Sequence, residues 1–295
     1  MSDFIHISEA LLSAVKADDY AGYDPFDSLN SQMFKSTWFY QNKWLRLIWL
    51  QIGKRSHINL RPLLGVPKRR NPKGVSLFIL GMLEDYFRTG DDSYLNSAIA
   101  LGDWLLSQRC DVNIWGGDCW GYHFDWQARA FYVPIGKPNI ISTVYAARAL
   151  YSLGLATDNN YFIKASYGAA FFIKKHLLTK YDGRTFFAYI PGEKAFVHNA
   201  SLWGAAWVGF VGSVLGDDDL SLVALTVGRQ SMQEQRNDGA WVYGTLKHHQ
   251  FIDGFHTGYN LEALSMLSLA QETNEFEQCI NKGLNYYRKT FFLLD

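Results

Sequence analysis

The segment NIISTVYAARALYSLGLATD, residues 139–158, determines the fold class. It is apolar nearly all round, and small residues such as Ala146 and Ala147 let neighbouring helices approach closely, so it is predicted to be a buried helix. A short polar turn follows, and apolar residues at three- and four-residue spacing predict a second helix over 161–176. The segment therefore indicates a helical hairpin with a buried first helix and a more polar second helix.

The same pattern occurs four times along the chain. Three further stretches, 71–91, 198–217 and 256–274, each consist of an apolar first helix that ends in a short polar turn. Each is followed by a second helix, predicted over 94–108, 220–235 and 276–289. A period of about 60 residues is typical of repeat architectures. The sequence therefore predicts an all-α fold, an α/α toroid in which inner helices are ringed by outer helices, as one domain over 1–295. Additional helices are predicted over 4–18 and 37–53.

The composition excludes several classes of protein. Apolar residues make up 48% and charged residues 19%, with a formal charge of +0, which favours a globular chain. The one basic run, Lys68-Arg69-Arg70, is interpreted as a solvated loop, so no nucleic-acid partner is expected. Three cysteines are too few for a disulfide framework or a zinc site. With no membrane-length apolar run, no signal-peptide pattern and no cofactor motif, we expect a cytoplasmic protein without cofactor or metal.

Three long loops precede the inner helices, at 111–138, 180–197 and 237–255, and long aromatic loops in a compact domain are usually functional. If 121–127 is extended, alternation puts His123 and Asp125 on one side and Tyr122, Phe124 and Trp126 on the other. The structural alternative is an aromatic cap on the toroid.

The loop at 237–255 is similar in composition and begins with an Asn-Asp-Gly turn. His198 and His256 stand at or near the start of an inner helix, where backbone N–H groups favour anions such as a carboxylated sugar. A metal site at His248, His249 and His256 is disfavoured, because these residues lack a compact ligand spacing.

The candidate residues allow two chemistries. Glycosidic hydrolysis needs two carboxylates, whereas elimination or epimerisation beside a carboxylate would use Tyr or His as base. The carboxylate candidates are Asp24, Asp27, Asp118, Asp125, Asp238 and Asp253. The predicted catalytic residues are Asp125, His123, Asp238 and His256. The predicted substrate-binding residues are Trp120, Tyr122, Trp126, His198, Asn199, Trp203, Trp241, Tyr243, Asp253, Tyr259, Tyr23 and Asp24.

Five segments carry a resemblance to a known family: YDPFDSL (23–29), GYHFDWQ (121–127), HNASL (198–202), NDGAWVYG (237–244) and DGFHTGY (253–259). Together they resemble bacterial polysaccharide-biosynthesis proteins of the VpsJ-like type. The wider clan of six-hairpin toroids includes unsaturated glucuronyl hydrolases, uronate lyases and glucuronyl C5-epimerases. The resemblance implies a saccharide substrate, with hydrolysis, elimination and C5-epimerisation all open, or a non-catalytic role in binding polysaccharide.

The chain departs from that family at its end. Members continue past the last outer helix into another glycine-rich loop and a final inner helix, whereas this sequence stops at 291–295, so a toroid of about five hairpins with the last one missing is expected. An open end would expose inner-helix surface, so we expect either an open arc of reduced stability or a homodimer that covers this surface. Residues 235–241 also resemble the Gln-x-x-x-Gly-x-Trp repeat of triterpene cyclases, but the acidic protonating motif of those enzymes is absent.

Overall fold

All eight helices of the predicted repeat are present in the computed structural model, which describes residues 2–129 and 131–292. In chain order the helices are α1 (Ser2–Ala17), α2 (Gln32–Lys35), α3 (Lys43–Arg55), α4 (Pro72–Thr89), α5 (Asp92–Ser107), α6 (Val112–Trp115), α7 (Ile140–Thr157), α8 (Asn160–Leu177), α9 (His198–Leu215), α10 (Asp218–Gln233), α11 (Gly254–Ala270) and α12 (Glu277–Phe291). Four hairpins result, in which α4, α7, α9 and α11 are the inner helices and α5, α8, α10 and α12 the outer ones. The fold is therefore an α/α toroid.

Local sequence sets the ends of these helices. Asn or Asp side chains cap the N-termini of α4, α5, α7, α8, α10 and α11 by accepting a hydrogen bond from a backbone N–H group of the first turn. α4 and α9 end at Gly90 and Gly216, which both adopt the left-handed conformation that glycine allows without strain. These caps confine each inner-to-outer turn of the first three hairpins to two residues.

The inner helices pack tightly because they carry small residues at their contacts. Nearly every residue of α9 from His198 to Gly212 is buried. A Cβ atom at Gly204 would lie 2.5 Å from Cδ1 of Ile140 on α7, so a larger residue there would force the Ile140 side chain to move. The small-residue pattern of the sequence therefore reflects close contact between α7 and α9.

The N-terminal helices do not form a fifth hairpin, contrary to the expected count. α3 packs on the 3₁₀ helix Asp27–Asn30, where Leu29, Phe34 and Leu50 form a small core of their own. Arg46 of α3 donates from Nε to Oε1 of Gln127 at 2.9 Å, which fixes α3 to the loop before α7. Within residues 2–129 and 131–292 there are thus four hairpins, and the predicted end at 293–295 lies outside the described residues.

The loops that precede the inner helices meet at one end of the toroid. Two contain short antiparallel pairs, β1 (Trp126–Gln127) with β2 (Tyr132–Val133), and β3 (Leu178–Tyr181) with β4 (Arg184–Phe187). The loops before α9 and α11 also bind the start of the preceding inner helix, since the N–H of Ile140 donates to Tyr189 O at 3.0 Å and that of His198 to Tyr243 O at 3.2 Å. No helix among the described residues is long and apolar enough to span a membrane.

Candidate functional site

A cavity of about 1160 Å³ lies where the first turns of the four inner helices converge. Lys73 of α4, Ile141 of α7, Asn199 of α9 and His256 of α11 all line it, one from each helix. The remaining wall comes from the loops, from α3 and from the segment at 24–26. The cavity is therefore at the end of the toroid where the sequence predicted a site.

Three tyrosines from consecutive loops line this cavity in equivalent positions. Each follows a buried aromatic residue by two places, in Trp120-Gly121-Tyr122, Phe187-Ala188-Tyr189 and Trp241-Val242-Tyr243. Tyr189 was not among the predicted site residues, although aligning the three loops on this aromatic–small–Tyr pattern would have found it. The repeat thus produces a ring of tyrosines as well as a ring of helices.

The environment of these tyrosines keeps them protonated. Burial, with the charge of Asp253, raises the pKa of Tyr243 to about 12. Burial also raises the pKa of Tyr122 and of Tyr189, whose hydroxyls are hydrogen-bonded to each other. Their O–H groups are therefore hydrogen-bond donors at neutral pH, and they are poor bases.

His256 is oriented by a carboxylate. Asp253, the N-cap of α11, accepts from the backbone N–H of His256 and lies 2.7 Å from its Nδ1 through Oδ2. When Nδ1 carries the proton for that bond, Nε2 has a free lone pair to accept another. The Asp253–His256 pair thus has the arrangement of a general base and the group that orients it.

Asp24 supplies the carboxylate of the cavity. Burial raises its pKa, and the neighbouring Asp27 charge adds to this effect, although the N–H of Phe26 and the charges of Arg61 and Lys73 oppose it. A carboxyl group with a raised pKa holds its proton closer to neutrality and suits a general acid. Sequence reasoning selected Asp24 as a substrate-binding residue, and the structure places it in the lining of the cavity.

Lys73 is a cation that sequence reasoning missed. Its Nζ donates to the Tyr259 hydroxyl at 3.0 Å and lies 4.7 Å from the ring centroid of Tyr145. This bond joins the first inner helix to the fourth. Lys73 is the second residue of α4, and Asn199 is the second residue of α9. Comparison of the helix starts would therefore have found Lys73.

The loop at 121–127 has the expected alternation, but its titratable side faces away from the cavity. Tyr122, Phe124 and Trp126 line the cavity. Asp125 is buried on the other side, where it accepts from Lys35 Nζ at 2.6 Å, Tyr40 Oη at 2.7 Å and the N–H of Ile135 at 2.7 Å. Although burial alone would raise it, the pKa of Asp125 is lowered by these donors. This carboxylate is a structural anchor for the loop and not a cavity residue.

His123 lies in a second cavity of about 610 Å³, separated from the first by Tyr122. Burial, with the charge of Arg69, lowers the pKa of His123 to about 4. It is therefore neutral at physiological pH and remote from the Asp253–His256 pair.

Four predicted binding residues belong to the core instead. The Trp120 indole donates to Leu105 O at 2.7 Å and the Trp241 indole to Ser231 O at 2.9 Å, and both rings are buried. Trp203 and His198 are also buried: Trp203 packs on Tyr145 of the inner helix α7, whereas the His198 ring lies beside Ser231 of the outer helix α10. Burial lowers the pKa of His198 to about 3. These four side chains are therefore buried by packing against outer as well as inner helices.

Other carboxylates lie outside the cavity. Asp238 is exposed in its turn, where it accepts from the N–H of Ala240 at 3.1 Å. Asp27 and Asp118 pair with Arg61 at 2.7 Å and Arg109 at 2.6 Å. Tyr23 does not line the cavity; its ring lies 5.7 Å from the Arg61 guanidinium. Of the predicted residues, the cavity brings together Asp24, Tyr122, Trp126, Asn199, Tyr243, His256 and Tyr259, with Asp253 behind His256.

The fold is similar to that of several solved structures, among them a glucuronyl hydrolase and a cellobiose epimerase. Unsaturated glucuronyl hydrolase from Bacillus sp. GL1, described as responsible for the degradation of glycosaminoglycan, has a TM-score of 0.60 at 13% identity, over 92% of this chain and 76% of that one. Cellobiose 2-epimerase from Bacillus thermoamylovorans has a TM-score of 0.59 at 8% identity, over 92% and 76%. The Lin0763 protein from Listeria innocua has a TM-score of 0.59 at 14% identity, over 76% of this chain and only 60% of its own length.

At these identities the similarity establishes the toroid and not the reaction. No family model matches the chain. No curated protein is similar to it in sequence.

Proposed function

We propose that the chain acts on an acidic oligo- or polysaccharide bound in the larger cavity, with His256 as general base. The lining of that cavity carries the proposal: among described residues it holds ten Phe, Tyr and Trp side chains, four Lys and Arg, and one carboxylate. Aromatic faces stack on the apolar faces of sugar rings, and cations bind the carboxylates of uronic acids. The glycosaminoglycan and disaccharide enzymes that share the fold support a saccharide substrate.

The raised pKa values of the cavity tyrosines favour His256 over tyrosine as the base. Because the cavity tyrosines have raised pKa values, they act as hydrogen-bond donors. His256 Nε2 would take the proton from the carbon next to the uronate carboxylate. The electron pair passes into that carboxyl group, where Lys73 and tyrosine O–H groups stabilise it. Return of a proton to the opposite face gives the epimer, and expulsion of the neighbouring glycosidic oxygen, protonated by Asp24, gives an unsaturated uronate.

Hydrolysis through two carboxylates has less support. Among the described lining residues Asp24 is the only acid, and Asp253 is occupied by His256. Asp125 and Asp238 lie elsewhere, so within residues 2–129 and 131–292 no second carboxylate faces Asp24 across the cavity at the separation that hydrolysis requires. The resemblance to polysaccharide-biosynthesis proteins is consistent with an exopolysaccharide as the substrate.

The test is incubation of the full chain in deuterated water with a panel of uronate-containing oligosaccharides. We expect deuterium at C5 or absorbance from an unsaturated uronate. His256→Gln should lower turnover by about 10²- to 10⁴-fold, the usual contribution of a general base, while binding is retained. Lys73→Met should weaken binding about tenfold by removing a cation that faces the carboxylate.

The exposed Lys282 of α12 offers a matched control, since Lys282→Met removes a cation outside the cavity and should change neither quantity. New reducing ends without deuterium or unsaturation would replace our reaction with hydrolysis. Binding without any turnover would make the chain a polysaccharide-binding protein, and absence of binding by every acidic saccharide would overturn the proposal.

A further inference from the structure

α3 and the 3₁₀ helix before it, Trp38–Gln41, expose an unusual set of apolar side chains. Trp38 is 72% exposed and Trp44 69% exposed. Ile48 and Ile52 are also exposed, and their spacing of four residues from Trp44 puts the three on one face of the helix. We call Trp38, Trp44, Ile48 and Ile52 the α3 patch. Exposed apolar surface of this extent marks an interaction site.

The charge around the α3 patch is of one sign. Residues 28–83 contain ten Lys and Arg and no Asp or Glu, in a chain with a formal charge of +0. Four of the ten pair with acids from other segments, namely Lys35, Arg61, Lys68 and Arg70. The other six form no ion pair with any residue in 2–129 or 131–292, and three of them, Lys43, Lys54 and Arg55, are exposed on α3 itself. The partner of this surface should therefore be anionic.

We propose that the α3 patch docks the protein on an anionic lipid surface. Tryptophan side chains favour the interface between lipid headgroups and acyl chains. A helix with Trp and Ile on one face and flanking Lys and Arg binds that interface through buried apolar area and attraction to anionic headgroups. This proposal does not rest on the saccharide activity proposed above.

Two other occupants fit the surface less well. A symmetric dimer through the α3 patch would place Lys43, Lys54 and Arg55 against their own copies, and like charges across an interface are repulsive. An acidic polysaccharide matches the cations, but Ile48 and Ile52 offer no polar groups to its hydroxyls. A bilayer satisfies both the apolar stripe and the charge.

The location of the α3 patch has a consequence for the larger cavity. Ile48, Ile52, Lys54 and Arg55 also line the rim of that cavity. Docking through the α3 patch would bring the cavity mouth to the membrane surface, where a saccharide anchored in the bilayer would be within reach.

The test is sedimentation of the full chain with vesicles of phosphatidylcholine, with and without phosphatidylglycerol. We expect binding to the anionic vesicles that weakens as salt is added. Lys43→Gln should lower partitioning about fivefold, the factor that corresponds to loss of one cation near the surface. The double variant Trp38→Ser with Trp44→Ser should lower it by more than about tenfold. None of these three residues lines the cavity.

Matched controls come from the far end of α11 and from α12. Leu269→Ser removes an apolar side chain that is 79% exposed, and Lys282→Gln removes an exposed cation. Neither should change partitioning. The proposal would be overturned by absence of binding to anionic vesicles or by equal losses of binding in the control variants. It would also be overturned if, in place of vesicle binding, the protein formed a concentration-dependent dimer or a complex with an acidic polymer that the Trp variants abolish. Circular dichroism of each variant separates loss of docking from loss of folding, and Lys43→Gln tests the docking even if the double variant unfolds.

Discussion

The loop at 121–127 and the start of α11 at 253–259 have similar compositions and opposite arrangements. Each contains an Asp, a His and a Tyr near the start of an inner helix. In the first, three donors within 2.7 Å enclose Asp125, and His123 lies outside the larger cavity. In the second, Asp253 accepts from His256, which lines the cavity. A carboxylate whose oxygens all accept from fixed donors anchors the chain. A carboxylate that orients a histidine leaves the lone pair on the histidine Nε2 free for chemistry.

The strongest test of this comparison is Asp125→Ala. Loss of this buried carboxylate leaves the N–H of Ile135, the hydroxyl of Tyr40 and the charge of Lys35 without their acceptor. We expect the free energy of unfolding in urea to fall by about 3 kcal/mol. Asp125→Asn, which keeps one acceptor, should cost less. If Asp125→Ala abolished turnover without lowering stability, the catalytic role would belong to the segment at 121–127 and not to the segment at 253–259.

The second test compares the histidines at two inner-helix starts. His198 is buried and its pKa is lowered by burial to about 3, whereas the unfolded chain titrates near 6.5. Between these values the unfolded state binds more protons, so acidification destabilises the fold. From pH 7 to pH 4.5 the wild type should lose about 2.5 kcal/mol more unfolding free energy than His198→Gln, which cannot titrate.

The control for that measurement is His256→Gln. His256 lies in the cavity beside Asp253, so its replacement should not remove the acid sensitivity that His198 causes. Urea unfolding of the three proteins at both pH values separates them. Identical pH profiles for the wild type and His198→Gln would show that His198 is not held neutral by burial.

The helices were predictable because their determinants are local. The period of apolar residues and the short polar turns identified all eight hairpin helices, and the loops that precede the inner helices were located correctly. The alternation at 121–127 likewise placed Tyr122, Phe124 and Trp126 on one wall. Each of these features depends on neighbours within a few residues.

The chemistry of the site was less predictable because it depends on distant partners. Lys35 and Tyr40, which make Asp125 structural, are far from it in sequence, and nothing in the loop announces them. Trp120 and Trp241 were expected to bind substrate, but the packing of α5 and α10 against their loops buries them. Lys73 and Tyr189 were missed although the repeat contains equivalent positions, since only superposition of the units shows which position in each faces the cavity.

The smallest expected effect concerns the Asn-Asp-Gly turn, the third loop element that the sequence made a site candidate. Asp238 is exposed, and its contacts are the N–H of Ala240 and an ion pair of 3.2 Å with the exposed Arg236. Exposed pairs contribute little, so Asp238→Ala should lower the unfolding free energy by no more than about 0.5 kcal/mol and leave saccharide binding unchanged.

The adjacent residue makes this a sharp test. Gly239 has φ +92°, and a Cβ there would lie 2.3 Å from the backbone oxygen of Lys282. Because alanine would be strained in this backbone conformation and would clash with Lys282, Gly239→Ala should lower the free energy of unfolding by more than about 1 kcal/mol. A larger loss of turnover from Asp238→Ala than from His256→Gln would show that Asp238 belongs to the active site. If Gly239→Ala destabilises the protein and Asp238→Ala does not, the fold requires the backbone conformation of this turn and not its carboxylate.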